Sequence, residues 1–136
     1  MGTDTTITIL YVDDDQDEML MLKKSISDTG TPASLVYAPG GEEALHYLNS
    51  LSRHSLPELI ILDLNMPRWD GRKTLNSIKS NPGFASIPVV IFSTSGNSFD
   101  RQSCLEMGAA SYIKKPFLYS DYKDVISSFL PLVKIA

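Results

Sequence analysis

Five short apolar runs, each followed by a segment with helical spacing, limit what this chain can fold into more than any other feature. The first run, Ile7-Thr8-Ile9-Leu10-Tyr11-Val12, stops abruptly at Asp13-Asp14-Asp15. Met19, Leu22 and Ile26 then recur at helical spacing before Gly30. The second run, Ala33 to Ala38, passes through Pro39-Gly40-Gly41 into Ala44, Leu45, Leu48 and Leu51. The third, Leu59-Ile60-Ile61-Leu62, ends at Asp63, and a loop from Asn65 to Gly71 leads to a helix carrying Leu75 and Ile78, broken at Asn81-Pro82-Gly83. The fourth, Val89-Val90-Ile91-Phe92, ends at Ser93-Thr94-Ser95-Gly96, ahead of a weaker helical pattern over about Phe99 to Met107. The fifth, Ser111-Tyr112-Ile113-Lys114, ends at Lys115-Pro116, and Tyr122, Val125, Ile126, Phe129 and Leu130 share one face of a last helix.

Runs apolar on both faces belong in a parallel sheet covered on both sides by helices. With right-handed crossovers, five strand-helix units predict an α/β fold: a three-layer, doubly wound, parallel five-stranded sheet in the flavodoxin-like order 2-1-3-4-5. The 136 residues suffice for one domain with its own core, about 7–132, and the reading is a single domain over 1–136 with no second, output domain. The 43% hydrophobic and 21% charged composition is that of a soluble globular chain. With Cys104 alone, no intramolecular disulfide forms, no signal pattern opens the chain, and no apolar run reaches membrane-spanning length, so the expected location is cytoplasmic. A net charge of −4 offers no electrostatic basis for direct nucleic-acid binding.

In such a sheet ligands bind beyond the carboxyl ends of the strands. Those ends carry Asp13 and Asp14, Asp63, Ser93 and Lys115. Crowded carboxylates repel unless a cation neutralises them, and an oxygen-only set suits Mg²⁺ or Mn²⁺. Asp63 could then attack phosphorus to form an acyl phosphate, with the metal and the Lys115 ammonium facing the equatorial oxygens and the Ser93 hydroxyl donating to one of them. Each residue also has a plainer reading. Asp14 or Asp15 reads equally as a helix cap, Asp63 as a turn residue, Ser93 to Gly96 as a loop and Lys115 as a solvated lysine. The joint placement at strand ends carries the weight.

From about Ile7 to Leu132 the chain resembles the receiver domain of two-component response regulators. The matching segments are Ile9 to Asp14, Leu62-Asp63-Leu64-Asn65-Met66-Pro67 with Asp70-Gly71, Pro88 to Ser93, and Gly108-Ala109 with Lys115-Pro116-Phe117. The resemblance implies Asp13 and Asp14 at the metal, Asp14 directly, with Asp63 and the backbone carbonyl of Asn65 as further ligands. It implies Asp63 as phosphoacceptor, Ser93 and Lys115 on the phosphoryl group, and Tyr112 as an aromatic switch that turns inward as Ser93 moves. It also implies a cis bond between Lys115 and Pro116. Thr94 replaces the usual small alanine and crowds the entrance. Ser95 and Asn65 occupy positions that modulate phosphoryl lifetime, and as small polar residues they suggest an intermediate one. Long connections at 51–56 and 82–86 and the Ser-Thr-Ser-Gly turn are similar to stand-alone receivers that partner bacteriophytochrome-type kinases.

The implied function is a phosphoacceptor switch rather than an enzyme, beyond self-catalysed phosphoryl transfer and dephosphorylation. Its partners are a sensor histidine kinase or histidine phosphotransfer protein and a downstream target, with a possible homodimer through the helix 4–strand 5–helix 5 face. Three alternatives stand beside it: a Mg²⁺-dependent phosphohydrolase, a flavin-binding carrier and a constitutive binding module. The first expects an Asp-x-Asp first strand and a cap insertion; the second expects an uncharged phosphate loop where this chain is acidic. Trp69 reads as a packing residue, His46 and His54 as solvated, and Cys104 as a core thiol.

Overall fold

The computed structural model describes residues 6–64, 66 and 70–132. Five strands, β1 (Ile7–Val12), β2 (Ala33–Ala38), β3 (Leu59–Asp63), β4 (Val89–Ser93) and β5 (Ser111–Lys114), form one sheet in the order β2-β1-β3-β4-β5, every pairing parallel. Between and after them run α1 (Gln16–Asp28), α2 (Gly41–Asn49), α3 (Gly71–Lys79), α4 (Ser98–Glu106) and α5 (Tyr122–Phe129). The fold class expected from the five runs is therefore the one observed.

Side-chain alternation along the strands splits the apolar residues between two cores. Ile7, Ile9 and Tyr11 of β1, Leu59 and Ile61 of β3, and Val90 and Phe92 of β4 pack with Leu22, Ile26, Tyr122 and Ile126 under α1 and α5. Leu10, Val12, Ile60, Leu62, Val89 and Ile91 pack on the opposite side with Ala44, Leu48, Leu75, Ile78 and Cys104. All five residues of β3 and of β4 are buried, whereas β2, at the sheet edge, is only half-buried over most of its length. That is why β3 and β4 read as unbroken apolar runs and β2 admits Ser34.

Two helices start on an aspartate cap. Asp15 caps α1 by accepting from the amides of Asp17 and Glu18, and Asp70 caps α3 by accepting from Lys73 N. The capping reading of the acidic triplet thus applies to Asp15. The long connection at 82–86 is drawn in by Lys79, whose Nζ donates to the carbonyls of Ala85 (3.0 Å) and Ile87 (2.7 Å). Asn65, Trp69 and the Phe129 side chain, all given roles above, lie outside the described residues.

Gly71 opens α3 directly against the end of β3. Its amide donates to Leu64 O at 2.8 Å, and a Cβ there would stand 2.5 Å from Asp63 O and 2.6 Å from Leu64 Cα. Those atoms are backbone and cannot swing aside. Gly71→Ala is expected to destabilise the fold by about 1–3 kcal/mol, the range for overpacking, read from the urea midpoint. An unchanged midpoint would mean that α3 is not pinned to β3 as described.

Candidate functional site

The strand register brings the acidic residues together. β1 and β3 pair with Val12 opposite Leu62, so the residues that follow, Asp13 and Asp63, leave the sheet side by side. Both continue the alternation of Tyr11 and Ile61 and so emerge on the α1/α5 side. One carboxylate oxygen from each of Asp13, Asp14 and Asp63 lies within 4.8 Å of the others. Asp13 and Asp63 are buried and Asp14 is exposed.

Lys115 leaves the end of β5 and reaches across this cluster. Its Nζ lies 3.2 Å from Asp13 Oδ2, 3.0 Å from Glu18 Oε1 and 3.6 Å from Asp63 Oδ1, with the Phe92 ring centroid 5.7 Å away. The lysine backbone is held too, its amide donating to Ser93 O at 2.6 Å. Burial alone pulls the ammonium's pKa down, but Asp63, Asp13 and Glu18 outweigh it and raise the pKa above the ordinary lysine value. The resemblance implied a cis bond before Pro116. That expectation is corrected: no peptide bond among the described residues is cis. Trans is the lower-energy isomer even before proline, and the lysine reaches Asp13 from it.

The protein already engages both Asp13 oxygens. Oδ1 accepts from the Asp15 amide at 3.0 Å, and Oδ2 accepts from Lys115 and from the buried Tyr11 hydroxyl. Burial, then the adjoining Asp13 carboxylate, pushes the Tyr11 phenol far up, so it stays a donor. Asp14 is also raised, by desolvation first and then by its contact with Asp13. Among the described residues, three carboxylates (Asp13, Glu18, Asp63) thus surround one ammonium, and a fourth, Asp14, lies beside Asp13 and Asp63 at the exposed rim. A pocket of that charge, with oxygen donors only, fits a hard divalent cation.

Ser93 stands apart from this group in its bonding. It is fully buried, and its Oγ accepts from the Ser95 amide at 3.1 Å. Tyr112 is buried with its hydroxyl donating to Ser95 O at 2.9 Å, so its ring lies inward in this structure. Ser95 Oγ donates to Asp100 Oδ2 at 2.8 Å, Asp100 pairs with Arg72 of α3, and Arg101 Nη1 donates to Tyr112 O at 2.9 Å. Thr94 is exposed at the turn. Cys104 is buried and its thiol is pushed up by desolvation, as a core thiol should be.

Sequence reasoning missed Tyr11, Glu18, Arg72, Asp100 and Tyr122. For two of them a signal existed. Tyr11 precedes Asp13 by one strand period and so faces the same way. Glu18 precedes Leu22 and Ile26 by one and two helical steps of four, an acid in line with a core stripe.

A family model for the response regulator receiver domain matches residues 9–127. The chain belongs to this family. Receivers are phosphoacceptor signalling domains of two-component systems rather than enzymes in the usual sense, and they work by meeting kinases and targets. This receiver is 32% identical over 110 residues to response regulator Rcp1 of Synechocystis, covering 79% of this chain and 75% of Rcp1. The phosphorylated cyanobacterial phytochrome response regulator RcpA superposes with a TM-score of 0.82 at 31% identity, covering 91% of each chain. The Mn²⁺-bound form of Rcp1 does so with 0.82 at 28% identity, covering 96% of this receiver and 99% of Rcp1. The acidic cluster Asp13, Asp14 and Asp63 fits a divalent-metal site, and Rcp1 has a Mn²⁺-bound form. No helix among the described residues is long and apolar enough to cross a membrane.

Proposed function

We propose that this receiver accepts a phosphoryl group on Asp63, with Mg²⁺ or Mn²⁺ held by Asp13, Asp14 and Asp63, and that the modification switches its binding to a partner. The observation that carries the reading is the convergence of three carboxylates within 4.8 Å of one another with a lysine ammonium 3.6 Å from Asp63 Oδ1. One Asp63 oxygen attacks phosphorus in line, the bond from phosphorus to the donor's leaving atom breaks, and an acyl phosphate remains. A divalent cation held by Asp13, Asp14 and Asp63 would supply positive charge beside the equatorial oxygens. Lys115 pairs with one of those oxygens and Ser93 donates to another. The family resemblance would add the carbonyl of Asn65, which lies outside the described residues, to the metal set; Tyr112 and Ser93 carry the switch, and Thr94 and Ser95 tune how long the phosphoryl group survives. The donor is a sensor histidine kinase or a histidine phosphotransfer protein. The likeness to RcpA favours a phytochrome-type kinase. Output passes to a docked target or a second copy through the α4–β5–α5 face.

A flavin-phosphate reading is disfavoured at the same place. At the start of α1, where a phosphate would bind, the amides of Asp17 and Glu18 already donate to Asp15.

Two measurements test the proposal. Intact mass after incubation with Mg²⁺ and acetyl phosphate is expected to rise by one base-labile phosphoryl group, absent in EDTA. No gain from acetyl phosphate or from a phosphorylated kinase would overturn it. Separately, Mg²⁺ binding only the folded state is expected to stabilise it by about 2.7 kcal/mol at a hundred times Kd. Asp14→Asn is expected to remove most of that gain. It leaves stability in EDTA level or slightly higher, because Asp14 is exposed and repelled by Asp13. Urea titrations with and without Mg²⁺ check both; a full Mg²⁺ gain in the variant would take Asp14 out of the metal set.

A further inference from the structure

Among the described residues Lys115 has three carboxylate partners, and they differ in what else they must do. Asp13 and Asp63 belong to the acidic cluster; Glu18 does not. Yet Glu18 makes the shortest of the three contacts, 3.0 Å against 3.2 and 3.6 Å. Its side chain is 15% exposed, and its second oxygen, Oε2, accepts from the Tyr122 hydroxyl at 2.9 Å. Tyr122 is buried and meets Phe92 edge-on, with ring centroids 5.9 Å apart at 84°. Phe92 in turn lies under the Lys115 ammonium. Glu18 is thus anchored on α5 at one end and holds the lysine at the other.

We propose that Glu18 is the positioning residue for Lys115, keeping the ammonium aimed into the pocket while a divalent cation and a phosphoryl group occupy Asp13 and Asp63. The inference rests on the phosphoacceptor reading above. Once Asp63 is an acyl phosphate, its carboxyl no longer carries the charge that attracted the lysine. Asp13, facing a cation, is no better a partner. Glu18 is then the remaining carboxylate among those the lysine contacts. A lysine stem is long and flexible, so without an anchor the ammonium would be shared with water instead of the transferring group. The Tyr122 hydroxyl matters because it stops the carboxylate from rotating toward the cation.

The test compares the wild-type chain with Glu18→Gln, Tyr122→Phe, Lys115→Ala and the Glu18→Gln/Lys115→Ala double variant. Glu18→Gln keeps the shape but removes the charge and replaces one accepting oxygen with a donating amide, so its urea midpoint is read beside the rate to report any loss of fold separately. Phosphoryl uptake from acetyl phosphate at saturating Mg²⁺ is expected to slow roughly tenfold in Glu18→Gln, the scale of one hydrogen bond to a charged group. A smaller slowing is expected in Tyr122→Phe, and none beyond that of Lys115→Ala in the double variant. The affinity for Mg²⁺ alone, by calorimetry, should move little. The Lys115 Nζ resonance, protected from solvent exchange in the Mg²⁺-loaded wild type, should be lost to exchange in Glu18→Gln. An unchanged rate in Glu18→Gln, or an equal fall when Lys115 is already absent, overturns this inference alone. A wild-type chain that takes no phosphoryl group from any donor overturns the phosphoacceptor reading and this inference with it.

Discussion

Asp63→Asn is expected to take up no phosphoryl group under conditions that fully modify the wild type, a loss limited only by the sensitivity of the mass measurement. The amide keeps the shape of the side chain but is a far weaker nucleophile, and attack on phosphorus requires an ionised oxygen. Asp14 and Glu18 carry carboxylates nearby, so the variant also asks whether either can substitute. The geometry says neither can: Asp14 is exposed at the rim, and Glu18 is committed to Lys115 and Tyr122. Folding should survive, because the amide removes one repelling charge from beside Asp13 even as it weakens the 3.6 Å contact with Lys115. Intact mass beside circular dichroism checks both halves. A phosphoryl gain in the variant would move the acceptor to another residue.

The second large effect concerns Lys115. Replacing it by methionine keeps the buried stem and removes the ammonium that lies 3.2 Å from the buried Asp13 carboxylate and 3.6 Å from that of Asp63. Removing one partner of a buried pair costs about 3–5 kcal/mol, and in EDTA the urea midpoint of Lys115→Met should fall accordingly. A divalent cation answers the same need for positive charge. Mg²⁺ should therefore bind Lys115→Met more tightly than the wild type and recover much of the lost stability. Phosphoryl uptake should nonetheless stay slow, since a cation at the carboxylates does not replace a donor on the far equatorial oxygen. Urea titrations at several Mg²⁺ concentrations check the stability claim. An equal loss with and without Mg²⁺ would mean that Lys115 acts through packing, not charge.

Both predictions depend on residues whose positions were legible from different kinds of information. The five apolar runs and their helical partners are local patterns. Burial on both faces of β3 and β4 writes itself into uninterrupted Ile, Leu, Val and Phe, so sheet type and strand order followed from the chain alone. Polar residues that end such runs, Asp13, Asp63, Ser93 and Lys115, were visible because each interrupts a pattern. Cys104 was rightly read as a core thiol.

The sequence by itself thus determined the architecture and the strand-end residues, because periodicity and its interruptions need no knowledge of distant partners. Only the tertiary structure decided which of those residues touch. The β1–β3 register sets Asp13 beside Asp63, and the path of the chain after β5 carries Lys115 over both. Glu18 and Tyr122, separated by 104 positions, share a hydrogen bond that no local pattern encodes, and Asp100 meets Arg72 across 28. The inward Tyr112 ring, held by its hydroxyl on Ser95 O, was likewise settled by surroundings. Burial pattern is a property of one element, whereas pairing of charges is a property of two, and the second appears only when the sheet has brought them within reach.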